Sequence, residues 1–327
     1  MTLASVLIPA HDKPTTLPLT VDTVLRQTVS DLEVVVIGDG VTDAVREVVD
    51  GLTRADERVR FLDFPKGPHH GERYRHDAVQ AARAEALFYL CDDDLLLPDH
   101  VADLLALLED HTLVQSRNGF CRVSGEVELV VGDLADPDSV GLLLDDRLRH
   151  NFVSITGTAH TRAFYERAGV RWDTTPVGEW PDHYQFRRMA AHPTFRGATS
   201  HRMTALQLPT SEDGRDGWSA DERQAELARW HDLVTAPGAQ QAVDDLVRDA
   251  TPRALLRLGT EVARLRHDVE LLRRDEDIWH RDEGLLREEI VVLRQELDTE
   301  RAELLRAREK LGRLRRRVAR LKQPPPG

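Results

Sequence analysis

Residues 89–100 read Tyr-Leu-Cys-Asp-Asp-Asp-Leu-Leu-Leu-Pro-Asp-His, so an apolar run stops on three carboxylates, Asp92, Asp93 and Asp94, and then resumes. Hard divalent cations take carboxylate oxygens, and Mg²⁺ or Mn²⁺ is typically held by one or two of them together with substrate phosphates. The same residues also suit a solvated acidic turn ahead of a helix opening at Pro98, whose N-terminus favours negative charge. Two other apolar runs end comparably, at Pro9-Ala10-His11-Asp12 and at Gly38-Asp39-Gly40. His69, His70 and His76 add imidazoles, but their spacing fits no zinc pattern, and with Pro68 and Gly71 beside them they read as a solvated loop.

The elements that must carry these residues alternate between short apolar runs and amphipathic segments, the pattern of βαβ units and a largely parallel sheet. "ASVLIPA" predicts a first strand and "TTLPLTVDTVLRQT" a helix, capped by Thr15 or Thr16, that buries Leu17, Val21, Val24 and Leu25. "LEVVVIGDG" is apolar throughout, as strands covered on both faces are. A helix over 43–52, a strand "VRFLDF", a helix over 71–86 and a strand "ALFYLC" follow. Ligands of open α/β sheets bind beyond the carboxyl ends of the strands, so three acidic strand ends would share one rim. Further on, "TLVQSRNGFCRV" and "EVELVVGD" predict two antiparallel strands about Ser124-Gly125-Glu126, which makes the sheet mixed.

From about Pro252 the pattern changes. Leu258, Val262, Leu265, Val269 and Leu272 begin a series, ending at Leu321, that steps by alternating fours and threes, with Glu276, Glu283 and Glu300 as its acidic members. Such a heptad predicts a coiled coil with a second copy or a partner helix, since a lone helix would leave the seam wet. The expected organisation is an α/β domain over 1–235, a helical linker over 236–255, a coiled coil over 256–322 and a disordered tail over 323–327. Net charge is −13, which argues against nucleic-acid binding by the whole chain, although 308–322 is a basic patch of a kind an anionic membrane surface could attract. Cys91 and Cys121 suggest no disulfide framework, and no stretch is long and apolar enough to span a membrane, so a cytoplasmic setting is expected.

Four stretches, in order, resemble family 2 glycosyltransferases: "VLIPAHDKPTTLPLTVDTVLRQTVSDLEVVVIGDGVTD", "GERYRHDAV", "FYLCDDDLLLPDHV" and "RAGVRWDTTPVGEWPDHYQFRRM". The resemblance covers about the first 210 residues. It implies a GT-A fold and an inverting, metal-assisted transfer from a UDP- or dTDP-linked sugar to an acceptor hydroxyl. It also implies residue roles. Asp39 would accept from the base imide, and Pro9, Ala10 and Asp12 would line the base and ribose pocket. Asp93 would bind Mn²⁺ or Mg²⁺, with Asp92 towards the ribose and Asp94 in support. His76 stands in the stretch that supports the donor. Asp182 would be the general base, with Glu179 as fallback, although "WPDHYQF" also reads as a helix start in which Asp182 is a cap. Cys91, Gly38 and Pro181 depart from the family pattern, and they motivate a second reading, a catalytically weak domain serving as a coiled-coil scaffold.

Overall fold

The computed structural model describes residues 2–148 and 150–321, leaving aside the side chains of 277, 302–307 and 309–321. The chain runs β1 (Ala4–Ala10), α1 (Leu17–Leu25), β2 (Leu32–Asp39), α2 (Asp43–Ala55), β3 (Val59–Phe64), α3 (Tyr74–Ala81), β4 (Ala86–Tyr89), β5 (Leu95–Leu96) and α4 (His100–Leu108). It continues as β6 (Leu113–Gln115), β7 (Gly119–Cys121), β8 (Val127–Leu129), α5 (Pro137–Leu144), β9 (Thr158–Thr161), α6 (Arg162–Ala168), α7 (Pro181–Ala190), β10 (Gly197–Thr199) and β11 (Ala205–Leu206). After a 3-10 turn at Arg215–Gly217 come α8 (Ala220–Thr235) and α9 (Ala239–Leu321).

Seven strands form one sheet in the order β10-β6-β9-β4-β1-β2-β3. The block β4-β1-β2-β3 is parallel, as is the pair β10-β6, and antiparallel β9 joins the two. The expected mixed, mostly parallel α/β sheet is therefore observed. β1 passes to β2 on one side and neighbours β4 on the other, so the strand order reverses at β1, where a crevice opens beyond the strand ends.

Period-two alternation explains why the central strands are apolar on both faces. Val6, Ile8, Val34, Val36 and Phe88 enter one core with Leu17 and Val21 of α1 and Val45 and Val49 of α2. Leu7, Val35, Ile37, Leu87 and Tyr89 enter the other with Ala78 and Val79 of α3 and Phe186 and Met189 of α7. Each fully buried Val, Leu, Ile or Phe side chain contributes about 1.5–3 kcal/mol, so the strands are held from both sides.

Two local expectations differ. α3 begins only at Tyr74, because Gly71 takes a positive φ of 62°, and it ends at Ala81, with Ala82 extended. The segment read as one strand of a hairpin divides: Leu113–Gln115 joins the main sheet, whereas Gly119–Cys121 pairs with Val127–Leu129. The break falls where Ser116 N–H donates to Gly157 O and Arg117 N–H to Arg202 O, which carries the chain out of the sheet.

The chain divides into two compact units, one ending at Leu255 and one beginning at Leu256. The first includes the start of α9, whose Ala239, Val243 and Ala250 are buried. In the second, among the described side chains, the apolar heptad positions of α9 are exposed, from Val262 at 39% to Leu272 at 67%. The tail 323–327 and the side chains of 309–322 in the basic patch lie outside the described residues. Among the described residues no helix is long and apolar enough to cross a membrane.

Candidate active site

The rim beyond β1, β2 and β4 gathers the acidic strand ends. Registers of Pro9 with Ile37 and Ala10 with Gly38 set the end of β1 against that of β2. His11 Nδ1 is 2.7 Å from Asp39 O, and Thr42 N–H donates to His11 O, which ties the two ends together. Asp39 is buried; one carboxylate oxygen accepts from Gly67 N–H at 2.6 Å and the other from the Lys66 ammonium. A carboxylate offers about four lone-pair sites, so acceptor capacity remains. Asp12 is exposed and close enough to act on the charge of Asp92.

The three consecutive aspartates have three different surroundings. Asp92 is buried and Asp93 half-buried, and Lys13 Nζ lies 3.0 Å from Asp92 Oδ1 and 2.7 Å from Asp93 Oδ2. Thr16, at the start of α1, leaves its own helix uncapped; its hydroxyl instead donates to the main-chain carbonyl of Asp92. Asp94 is buried and accepts from the Thr156 hydroxyl and from Leu208 N–H at 2.8 Å, so it joins the end of β4 to two distant loops. Cys91 N–H donates to the same Thr156 hydroxyl at 3.0 Å.

Burial raises the pKa of Asp92 above the usual carboxylate range, with Lys13 pulling the other way, and burial followed by the charge of Asp93 raises that of Asp94. Burial pushes the Lys13 ammonium down, but Asp92 and Asp93 outweigh it and hold the group well above its ordinary value.

Asp182 lies in the first turn of α7, behind the N-cap residue Trp180, and its Oδ1 accepts from His183 N–H at 2.8 Å. It is not the N-cap. Burial raises its pKa, opposed by the His183 N–H and by Arg75. Arg75 itself is buried, stacks over Trp172 at 4.7 Å, and leaves Nε and Nη1 without a hydrogen-bond partner among the described residues. Burial depresses its guanidinium pKa, and the negative charge of Asp182 and Glu72 supports the charged form. His76 is held elsewhere, by Tyr165 OH at 2.9 Å. Glu179 is half-buried in the loop before α7.

Residues the sequence did not single out complete the rim: Lys13, Lys66, Arg75, Thr156, Thr210 and Arg215. Thr210, Arg215 and Arg223 line a small cleft with Thr16 and Asp93. Arg215 is buried in a bidentate pair with Glu226, at 2.8 and 2.6 Å, and its Nη1 has no hydrogen-bond partner among the described residues. A lone Lys in "HDKP" and a Thr or Arg in an irregular loop carry no periodic signal. Only "RYRH", which places a second basic residue beside His76, hinted at Arg75.

Among the described residues no group of three or more His, Cys, Asp or Glu side chains is arranged to hold a metal alone. Two adjacent hard carboxylates already sharing one cation fit a metal that draws its remaining ligands from a bound phosphate.

The segment that forms this rim, residues 5–130, matches the model of glycosyl transferase family 2. It is a family 2 glycosyltransferase domain. Asp182 lies outside the matched segment of this family 2 domain. Over 112 residues the chain is 38% identical to the chondroitin synthase of Pasteurella multocida strain Pm70, covering 34% of this chain and 11% of that protein. The chain therefore spans about a tenth of the length of that relative. A crystal structure of S. aureus TarS 1-349 superposes with a TM-score of 0.51 at 15% identity, covering 76% of this chain and 70% of that one. The same fragment in complex with UDP-GlcNAc gives 0.50 at 15% identity, covering 76% and 71%. The family 2 domain thus has the GT-A architecture expected from its sequence.

Proposed function

We propose that the domain transfers a sugar from a nucleoside-diphosphate donor, UDP- or dTDP-linked, to an acceptor hydroxyl with inversion. The observation that carries this reading is the gathering of Asp39, Asp92 and Asp93 beyond the ends of β2 and β4, on either side of β1, with Lys13 bridging the last two. The match to glycosyl transferase family 2 and the UDP-GlcNAc bound to the TarS fragment support a nucleotide-sugar donor.

In this reading Asp39 accepts a hydrogen bond from the base imide, and Pro9, Ala10 and Asp12 border the base and ribose. Asp93 would hold Mn²⁺ or Mg²⁺, with Asp92 beside it; such an ion stabilises the charge that develops on a leaving diphosphate. Lys13 and Arg75 add positive charge near the same group, while Asp94 holds the turn in place. The acceptor hydroxyl must lose its proton as it attacks the anomeric carbon from the face opposite the leaving group, and Asp182 takes that proton. Its raised pKa brings it closer to working pH, where a general base is most effective. The apolar seam of α9 is read as a coiled coil with a second helix.

UDP with Mn²⁺ is expected to raise the melting temperature of the full chain, and Asp93→Ala to abolish that shift. Absence of stabilisation by any nucleoside diphosphate would refute the reading.

A second reading, a scaffold that has lost catalysis, draws on Lys13 and Lys66, which already occupy the carboxylates assigned to metal and base. Wild type and Asp182→Asn separate the two. Donor turnover, including slow hydrolysis by water, that is equally absent from both proteins favours the scaffold.

A further inference from the structure

In the second unit, the heptad positions of α9 carry an ordered charge pattern as well as an apolar seam. Taking Val262, Val269, Glu276, Glu283, Ile290 and Leu297 as the a positions places Leu258, Leu265, Leu272, Trp279, Leu286 and Leu293 at d. The g positions are then Glu261, Asp268, Asp275, Asp282, Glu289 and Glu296, all acidic. The e positions are Arg266, Arg273, His280, Arg287, Arg294 and Arg301, five arginines and a histidine. These side chains lie on the exposed surface of a helix whose large apolar residues are also exposed.

From this pattern we infer that α9 forms a parallel, in-register, two-stranded coiled coil with a second copy of this chain. In a parallel pair each g residue faces the e residue five positions later on the other helix, so Glu261 meets Arg266, Asp268 meets Arg273, and Glu289 meets Arg294, all opposite in sign. Antiparallel helices would set g against g and e against e, with acid facing acid along one flank and base facing base along the other. Val262, Val269 and Ile290 are β-branched and the d layers are predominantly Leu, the combination that favours two parallel strands.

Glu276 and Glu283 weaken the seam around Trp279, and Glu283 is answered within its own helix by Arg287 at 2.7 Å. In register each of these glutamates faces its own copy. A slip of one heptad would set Val269 against Glu276, Glu276 against Glu283 and Glu283 against Ile290, so acidic side chains would interrupt three seam layers instead of two. Both chains then enter the coil from the same end. The inference is independent of the sugar-transfer chemistry and of any ligand.

The test uses the full chain. Sedimentation and light scattering are expected to give twice the 37.0 kDa chain mass, and a monomer, trimer or tetramer would overturn the inference. Leu265→Cys is expected to form an interchain disulfide on mild oxidation, because d residues face each other only in a parallel, in-register pair; a dimer that does not cross-link is antiparallel or shifted and overturns it. The double variant Glu289→Arg/Glu296→Arg should dissociate more readily, its dimer Kd rising roughly tenfold or more as four opposite-charge pairs become like-charge. Mixing it with Arg294→Glu/Arg301→Glu should restore dimers containing one chain of each. Failure of the mixture to pair, with each variant folded by circular dichroism, would also overturn it.

Discussion

Replacing Gly71 with alanine tests whether the loop over 66–73 is shaped around Asp39. Gly71 has φ +62°, and a Cβ added there would lie 2.3 Å from Asp39 Cγ, 2.6 Å from Oδ2 and 2.7 Å from Cβ. The backbone conformation alone costs an alanine about 1–2 kcal/mol, and relieving the overlap costs a further ~1–3 kcal/mol of packing strain. Gly169 supplies the control, because it has nearly the same φ, +61°, with nothing within 4 Å of its added Cβ. At about 2–4 °C per kcal/mol for a domain of this size, Gly169→Ala should lower Tm by about 2–8 °C and Gly71→Ala by about 4–20 °C. The decisive difference is in ligand binding. Gly71→Ala must move the Asp39 carboxylate, so titration calorimetry with UDP and Mn²⁺ should show a Kd at least about tenfold weaker, a loss of about 1.4 kcal/mol, whereas Gly169→Ala should bind as wild type does. Wild-type UDP affinity in folded Gly71→Ala would show that the loop and Asp39 are not coupled in this way.

Glu72 and Asp182 extend the test to pH. Glu72 is fully buried and accepts from Thr175 N–H at 2.7 Å and His70 N–H at 3.1 Å; burial pushes its pKa up, but these hydrogen bonds prevail and hold it below the ordinary carboxylate value. Its folded-state pKa is depressed, so its contribution is present above the unfolded-state pKa and is lost as pH falls through the folded one. Glu72→Gln should cost about 1–3 kcal/mol at neutral pH, because one buried N–H loses its acceptor, and should flatten the acid limb of a Tm–pH profile; an unchanged profile would refute the assignment. For Asp182 the shift is upward, so kcat/KM should fall on the acid side with an apparent pKa above the ordinary carboxylate value. Asp182→Asn should reduce turnover by about 10²–10⁴-fold, and a full rate in Asp182→Asn alongside a dead Glu179→Gln would move the base to Glu179.

Much of the fold was legible because burial on both faces leaves an unmistakable imprint. β2 is apolar at almost every position since Val34 and Val36 serve one core while Val35 and Ile37 serve the other. The hairpin was harder. Nothing in "TLVQSRNGFCRV" says that Gln115 pairs in the main sheet and Gly119 in another, because that division depends on Gly157 and Arg202, about 40 and 85 residues away. The acidic positions of the site were visible as strand endings, but their environments were not. Asp92, Asp93 and Asp94 look equivalent as letters, and only tertiary partners from residues 13, 156, 208 and 210 distinguish them. His76 drew notice as an imidazole in a family-like stretch, yet its neighbour Arg75 turns inward, since α3 packs so that Trp172 and Tyr165 receive the two side chains separately.

The basic residues of the rim also differ in kind. The chain has four lysines, Lys13, Lys66, Lys310 and Lys322, and the first two sit on the carboxylates of this site. Arginine, ten times as abundant, makes the permanent pair: Arg215 grips Glu226 with two nitrogens while buried on both sides. An arginine fork is pre-organised for bidentate contact and gives up little entropy in holding it, whereas an ammonium is a point charge on a flexible stem that can change partners. In the proposed reading Asp92 and Asp93 must be available to an incoming cation and diphosphate, and a partly exposed lysine that pairs with both can give them up. On that reading Lys13 pairs with the two carboxylates in the absence of ligand and turns to phosphate oxygens when ligand arrives. The proposed reading thus puts lysine at 13 where the cleft must release its partner and arginine at 215 where it must not.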